Sequence, residues 1–220
     1  MTHDPTSALP AADWYFDYVS PFAYLQFAAE LPRLSDRLAV TCVPVLFAGL
    51  LNHWGQKGPA EIAPKRVFTF QYCAWWAGRH GLPYRLPAKH PFNPLGVLRL
   101  TIALDSRPEI VGEIFRFIWG EGRDVGDPAE WAALCRRLHV DDAEALVAQP
   151  EVKERLRTNT ERAVAAGVYG VPTLVIDGHT FWGVDATDMA RDYLDDPTLF
   201  ERGELERATR LPVGAARRAS

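Results

Sequence analysis

The sequence predicts an α/β fold in which a βαβ half and a ββα half are separated by a large, all-helical insertion. Three observations predict it. Residues 13–46 have the patterns of a strand, a helix and a second strand within about 35 residues, the size of a βαβ unit. A polar, glycine-rich stretch at 52–59 then precedes a long run of helical patterns. Finally, Asp177-Gly178 separates two β-rich runs, which is a strong hairpin signal.

The first strand is an apolar, aromatic run at 13–19, and the helix predicted at 21–34 follows it directly at Ser20-Pro21. Serine is a favoured helix N-cap, and proline is favoured at the first helical position because its missing N–H has no partner there. The Ser20 hydroxyl is therefore expected at the positive end of a helix dipole, a place suited to an anion. A purely structural cap is the alternative interpretation, and both stay open at this point.

The second strand is predicted at 39–46, because its near-continuous, β-branched apolar run suits a parallel strand buried on both faces. The segment that follows is predicted to be helical, with Asp127 and Asp141 as helix start signals. Its expected helices lie at 60–80, 95–105, 108–120, 127–138, 141–148 and 150–166. Most tryptophans of the chain are expected to pack between these helices: Trp54, Trp75, Trp76, Trp119 and Trp131.

The chain then returns to strands, predicted at 173–176 and 179–182, and ends with a helix at 186–195. These patterns divide the chain into a discontinuous α/β domain and an inserted helical domain. The expected boundaries are 12–50 with 166–210 for the α/β domain, 51–165 for the insertion, and 211–220 for a frayed tail.

Composition excludes several classes of function. The 220 residues carry a net charge of −4 with basic and acidic residues interspersed, so no nucleic-acid partner is expected. No stretch is long and apolar enough to span a membrane, and the N-terminus lacks a signal-peptide pattern, so a soluble, cytoplasmic protein is expected. The three cysteines, Cys42, Cys73 and Cys135, are isolated in apolar surroundings. They predict neither a disulfide framework nor a metal site.

Four motifs carry a resemblance to a known family. They are residues 16–24 (FDYVSPFAY), Gly55-x-x-x-Pro59 with Pro64-Lys65, residues 92–95 (FNPL), and Gly170-Val171-Pro172-Thr173 followed by residues 181–185 (FWGVD). In this order, over residues 14 to about 190, they resemble the 2-hydroxychromene-2-carboxylate isomerase family, related to the kappa-class glutathione transferases. The resemblance implies a thioredoxin-like fold of the DsbA group. That group begins its first helix with Cys-Pro-x-Cys, and this chain has Ser20 and Ala23 instead, so dithiol exchange is excluded.

The resemblance implies glutathione as cofactor. Ser20 would orient the bound thiolate, and Pro172 would follow a cis bond that lets Val171 pair with the cysteinyl part of the peptide. Asp185 would bind the γ-glutamyl ammonium, while backbone N–H groups around Val184 bind its carboxylate. A plain helix-start acid is the other interpretation of Asp185.

The remaining implied contacts are less specific. Lys65 matches a lysine near the glycyl carboxylate, although a solvated helix lysine is equally ordinary, and Gln56 stands where kappa relatives have an asparagine. Asn93 is either a substrate contact or a helix cap. Candidates for an apolar substrate lining are Phe22, Trp54, Phe47 and Phe92. One departure is Ala186, where the family commonly has an arginine. The contact that this arginine would make could be replaced by His179, by Arg191 or by no residue at all.

The leading hypothesis is therefore a glutathione-dependent cis-trans isomerase that acts on an aromatic enone acid by reversible thiolate addition. A kappa-like glutathione transferase or peroxidase with another electrophile is the alternative. A third hypothesis is a thioredoxin-fold module that binds extended peptides without catalysis. The resemblance also implies a homodimer.

Overall fold

The computed structural model describes residues 9–215 and contains a mixed four-stranded sheet. Its strands are β1 (Ala11–Phe16), β2 (Ala39–Pro44), β3 (Thr173–Ile176) and β4 (His179–Trp182). Their spatial order is β2-β1-β3-β4, with β1 parallel to β2 and antiparallel to β3, and β3 antiparallel to β4. The predicted parallel pair and the Asp177-Gly178 hairpin are both confirmed.

The helices surround this sheet. They are α1 (Pro21–Leu25), α2 (Phe47–Trp54), α3 (Ala63–Arg79), α4 (Leu95–Ala103), α5 (Pro108–Phe115), α6 (Pro128–Arg137), α7 (Ala143–Ala148), α8 (Pro150–Ala165), α9 (Thr187–Asp195) and α10 (Gly203–Ala208). A π turn and a 3₁₀ turn extend α1 to Leu34, and a π turn extends α5 to Gly120. The helices predicted in the insertion are thus present, with ends shifted by a few residues.

One hydrophobic core joins the sheet to the helical segment. Trp14 and Phe16 of β1 stack with ring centroids 4.6 Å apart, and Phe115 of α5 packs on Phe16 at 5.6 Å. All three side chains are fully buried. Each contributes on the order of 2–3 kcal/mol by leaving water, so the sheet and the helical segment stabilise each other.

Strand β1 ends earlier than predicted. The sequence pattern extends it to residue 19, but it stops at Phe16. The reason is Asp17, whose side chain accepts a hydrogen bond from the N–H of Val19 (3.0 Å) and whose carbonyl accepts one from Ser20 (3.1 Å). These bonds close a turn, so the aromatic run changes direction before Ser20.

The sequence did not predict α2, part of which covers residues 52–54 of the expected loop. Its first N–H groups bond to side chains that are remote in the sequence. Leu46 donates to the Thr160 hydroxyl (3.0 Å) and Phe47 to the Asp17 carboxylate (2.9 Å). Gly55, with φ of 61°, then ends the helix in the left-handed conformation that glycine tolerates best. A local pattern cannot reveal caps supplied from so far away.

The predictions for helix caps, tryptophans and cysteines are only partly confirmed. Asp127 caps α6 as expected, but α7 is capped by Asp142, one residue beyond the predicted Asp141. Trp119 is fully buried, as predicted. Trp54 and Trp75 are 42% and 56% exposed, so the prediction that they pack between helices is wrong. The three cysteines are free and buried, as expected.

At the C-terminus, α10 was not predicted, and part of the expected frayed tail, 216–220, lies outside the described residues. Within residues 9–215, every helix falls short of the length and apolarity that crossing a bilayer requires.

Candidate active site

Ser20 lies at the junction of the two halves of the fold. Its Oγ accepts a hydrogen bond from the N–H of Ala23 (3.3 Å), which makes it the predicted N-cap of α1. The same hydroxyl donates its proton to the carbonyl of Val171 (3.2 Å), and the side chain is 7% exposed. The serine therefore caps a helix and links it to the segment before β3.

The turn before Ser20 is held by a buried carboxylate. Asp17 is fully buried, and its two oxygens accept from Val19 and from Phe47, the first residue of α2. Burial raises the pKa of Asp17 to about 7, although both backbone hydrogen bonds favour the charged form. Among residues 9–215 no cation forms an ion pair with it. Asp17 thus fixes the turn and the start of α2 together.

The helical segment holds the other side of this turn. The indole N–H of Trp119 donates to the carbonyl of Tyr18 (2.8 Å), and Nε2 of His90 lies 2.7 Å from the carbonyl of Val19. Because a carbonyl only accepts, Nε2 must carry the proton. Burial lowers the pKa of His90. The backbone that leads into Ser20 is therefore fixed by side chains more than 70 residues away.

The segment at Val171-Pro172 has the predicted cis peptide bond. The carbonyl of Pro172 accepts from the N–H of Gly183 (2.9 Å), which joins the segment to the loop before α9. The carbonyl of Val171 accepts a hydrogen bond from the Ser20 hydroxyl and keeps a second lone pair with which it can pair with a peptide ligand. Its N–H has no acceptor among the residues that the structure describes.

The loop before α9 presents Asp185. This carboxylate is exposed and forms no ion pair within residues 9–215. Two residues earlier, Gly183 has φ of 93°, and a Cβ there would lie 2.6 Å from Oδ1 of Asp185, so any other residue would strain the backbone and displace the carboxylate. Val184 between them is buried, and its carbonyl accepts from the Thr187 hydroxyl (2.8 Å).

Gln26 ties this loop to the helix that Ser20 begins. Its amide nitrogen donates to the carbonyl of Gly183 and to the Thr187 hydroxyl, both at 3.0 Å, and its oxygen accepts from the indole of Trp14 (2.8 Å). The glutamine is fully buried. Ser20, Val171, Pro172 and the 183–185 loop therefore form one hydrogen-bonded unit.

Other predicted residues are not part of this unit. Lys65, in the first turn of α3, and Gln56, after α2, are exposed and bond through their side chains to no described residue. Asn93 accepts a hydrogen bond from the N–H of Leu95 (3.1 Å), which closes a turn before α4, but the N-cap of this helix is Pro94. The Trp54 indole donates to the carbonyl of Val168 (2.9 Å), while Phe22 is half-buried.

The candidates to compensate for Ala186 are engaged elsewhere. The ring of His179 stacks on Phe200 at 4.6 Å, and Arg191 pairs with Asp188 of its own helix. Sequence reasoning also missed Asp17, His90 and Trp119 as site-supporting residues. For Asp17 the sequence did carry a signal, because it is the one acidic residue inside the aromatic run at 14–24. The other two have no local signal.

Comparison with known proteins matches this chain to one family and to two groups of enzymes. The profile of the DSBA-like thioredoxin domain matches residues 12–195. The chain is 30% identical over 194 residues to the 2-hydroxychromene-2-carboxylate isomerase of Sphingobium xenophagum, covering 84% of this chain and 97% of that protein. It is 28% identical over 205 residues to glutathione S-transferase kappa 2 of Caenorhabditis elegans, covering 84% and 91%.

Solved structures agree on the fold. A 2-hydroxychromene-2-carboxylate isomerase superposes with a TM-score of 0.73 at 22% identity, covering 92% of this chain and all (100%) of that one. The cytosolic disulfide reductase DsbM from Pseudomonas aeruginosa, solved with GSH, gives 0.56 at 16% identity, covering 91% and 100%. At these identities the likeness establishes the thioredoxin-like DsbA fold.

Proposed function

This chain belongs to the DSBA-like thioredoxin family, with relatives among the 2-hydroxychromene-2-carboxylate isomerases and kappa-class glutathione transferases, and we propose that it is a glutathione-dependent isomerase. Its substrate in this proposal is an aromatic enone acid. Bound glutathione would supply a thiolate that adds reversibly to the conjugated carbon and leaves again after bond rotation.

The observation that carries the proposal is the Ser20 hydroxyl at the start of α1, where the DsbA group has a cysteine. A free thiol with a pKa near 8.5 is only a few per cent ionised at neutral pH, so a donor beside it raises the reactive fraction. Ser20 is such a donor, because its proton now goes to the Val171 carbonyl, 3.2 Å away, and rotation can redirect it. Ala23 supplies no resolving thiol.

The site residues fit glutathione chemically. The N–H of Val171 has no acceptor within residues 9–215, so it is available to a carbonyl of an extended peptide. Asp185, which is exposed and forms no ion pair within residues 9–215, suits an ammonium group, and the backbone around Val184 suits the neighbouring carboxylate. Lys65 and Gln56 are exposed and unpaired among the described residues, which leaves them free for the glycyl end.

A decisive experiment is calorimetric titration of the full chain with reduced glutathione, combined with activity on an aromatic enone acid. Ser20→Ala should lower turnover much more than it lowers glutathione affinity, because the hydroxyl acts on the sulfur. Ser20→Thr is the matched control and keeps the hydroxyl. If glutathione at millimolar concentration does not bind, the proposal fails. Equal activity of Ser20→Ala and wild type would reduce Ser20 to a cap.

A kappa-like glutathione transferase is the second candidate, and the 28% identity to the C. elegans kappa enzyme favours it. The two reactions differ in their use of the thiol. A transferase consumes glutathione, whereas an isomerase releases it unchanged. Titrating free thiol before and after complete substrate turnover separates them.

We further propose a homodimer in the cytoplasm. An exposed aromatic face on α3 supports association, since Phe68 is 65% and Trp75 56% exposed. Three free cysteines without a disulfide suit a reducing compartment. Sedimentation equilibrium of wild type and of a Phe68→Glu, Trp75→Glu variant tests the dimer. A wild-type monomer at micromolar concentration would contradict it.

A further inference from the structure

A pocket of about 300 Å³ has His90, which bonds to the residue before Ser20, in its wall, and none of its lining residues is a proposed glutathione contact. Its lining combines two elements of the helical segment, the first half of α3 and the proline-rich turn that precedes α4. The lining residues are Arg66, Val67, Phe70, Leu86, Pro87 and His90. This volume lies at the lower end of the range for small-molecule sites.

His90 connects this pocket to the candidate active site. Its ring forms part of the wall, lying 5.0 Å from Phe70 at a right angle, and its Nε2–H donates to the carbonyl of Val19 (2.7 Å). Val19 directly precedes Ser20 and is partly exposed. A ligand in the pocket would therefore lie against His90, the side chain that bonds to the turn before Ser20.

The lining is apolar except for the Arg66 guanidinium and the His90 imidazole, whose Nδ1 is buried without a hydrogen-bond partner among the described residues. Val67 and Leu86 are 52% and 54% exposed, so apolar surface faces the opening. The Arg66 guanidinium is exposed and forms no ion pair or side-chain hydrogen bond with any residue in 9–215. Burial, and to a lesser degree the nearby Arg66 charge, lower the pKa of His90, which disfavours a second positive charge in the lining.

An unpaired arginine at the mouth of an apolar pocket selects one ligand chemistry. Its planar fork matches a carboxylate in bidentate geometry, and the apolar wall accepts an aromatic ring. A neutral electrophile would gain no ion pair from the exposed guanidinium, which would stay hydrated. We propose that this pocket is the subsite for the second substrate and that Arg66 binds its carboxylate, which makes Arg66 the residue that discriminates acids from neutral electrophiles.

The assignment of the pocket to a second substrate rests on the proposed function, but binding is measured without turnover. The probes are trans-cinnamate and trans-cinnamamide, which share shape and differ in charge. Calorimetric titrations of the full chain should give at least about tenfold tighter binding of cinnamate than of the amide. Arg66→Gln should lower cinnamate affinity about tenfold and leave amide affinity unchanged.

Two further variants sharpen the test. Arg79→Gln is the matched control, since Arg79 is exposed on the same helix and contacts the Trp75 ring at 5.5 Å, away from the pocket. It should behave as wild type. Leu86→Asp places a negative charge at the exposed rim and should abolish cinnamate binding.

Equal affinity of wild type for the acid and the amide, no binding of either, or an unchanged Arg66→Gln variant would overturn the proposal. Glutathione is titrated separately into the same variants. Unchanged glutathione binding with no cinnamate binding refutes this subsite alone. Absent glutathione binding refutes the proposed function and leaves the measured pairing of cinnamate with Arg66 to stand as a binding site.

Discussion

The hydroxyl of Ser20 donates to the carbonyl of Val171 over 3.2 Å, although 151 positions of the chain separate the two residues. Through this bond the turn between β1 and α1 in the βαβ half meets the segment that leads into β3 of the ββα half. The same hydroxyl accepts from the N–H of Ala23. One side chain therefore serves as helix cap, as link between the halves and, in our proposal, as the donor to a thiolate.

Replacing Ser20 should consequently cost stability as well as activity. Ser20→Ala removes the cap and leaves the Val171 carbonyl without its partner, so the free energy of unfolding should fall by about 1–3 kcal/mol. Urea denaturation measures this. Ser35→Ala is the control, because its hydroxyl bonds only to the exposed carbonyl of Pro32 (2.8 Å). A loss as small as that of the control would mean that water replaces both bonds.

The buried Asp17 carboxyl should make stability depend on pH. Its pKa is raised from 3.8 to about 7 in the folded chain, so folding favours the protonated form. Its stabilising contribution is complete below pH 4 and is lost as pH rises towards 7 and beyond. This single group should thereby lower the free energy of unfolding by up to about 4 kcal/mol across that window.

The measurement is chemical denaturation at several pH values between 4 and 8 for wild type and Asp17→Asn. The variant should be destabilised at pH 4 by about 1–3 kcal/mol, since an amide satisfies only one of the two N–H groups. It should lack this downward slope, so its deficit relative to wild type should disappear towards pH 8. Asp36→Asn, at an exposed aspartate without an ion pair among the described residues, should keep the wild-type slope. Parallel curves for wild type and Asp17→Asn would contradict the assigned titration.

Much of the fold was predictable because its signals are local. Ser20-Pro21 marks a helix start, alternating and continuous apolar runs mark the strands, and Asp177-Gly178 marks the hairpin. Each of these depends on residues within a few positions of one another. The structure confirms all three.

The missed features share a different cause. Helix α2 begins with N–H groups bonded to Asp17 and Thr160, and the turn before Ser20 depends on His90 and Trp119. These partners are brought together only by tertiary packing. A motif can place Ser20 at a helix start, but the residues that hold its turn come from the distant helical segment.

Gln26 offers a test of the buried network that holds the loop before α9. Gln26→Leu keeps the volume but leaves the Trp14 indole N–H and the Gly183 carbonyl without partners. Because buried polar groups without partners are costly, the free energy of unfolding should fall by about 2–4 kcal/mol. Glutathione affinity should fall too, since the loop carries Asp185.

Denaturation and glutathione titration of the purified variant give both values. Gln71→Leu is the matched control, because Gln71 is exposed on α3 and its side chain bonds to no described residue. It should change neither quantity appreciably. Full stability of Gln26→Leu would show that the loop and the indole find other partners.

Gly183→Ala tests whether the shape of the same loop determines ligand binding. The residue has φ of 93°, and an added Cβ would lie 2.6 Å from the Asp185 carboxylate. The carboxylate must therefore move, and the backbone is strained by about 1–2 kcal/mol. We expect glutathione affinity to fall at least about tenfold, and the free energy of unfolding to fall by about the strain, 1–2 kcal/mol.

Gly78→Ala is the control, because Gly78 lies in α3 with open space around the added methyl group. It should bind glutathione as wild type does and be up to about 1 kcal/mol more stable, since alanine is the better helix former. Thermal denaturation and calorimetry distinguish the two variants. If Gly183→Ala binds glutathione normally, Asp185 does not need its present position, and its assignment to the ammonium group fails.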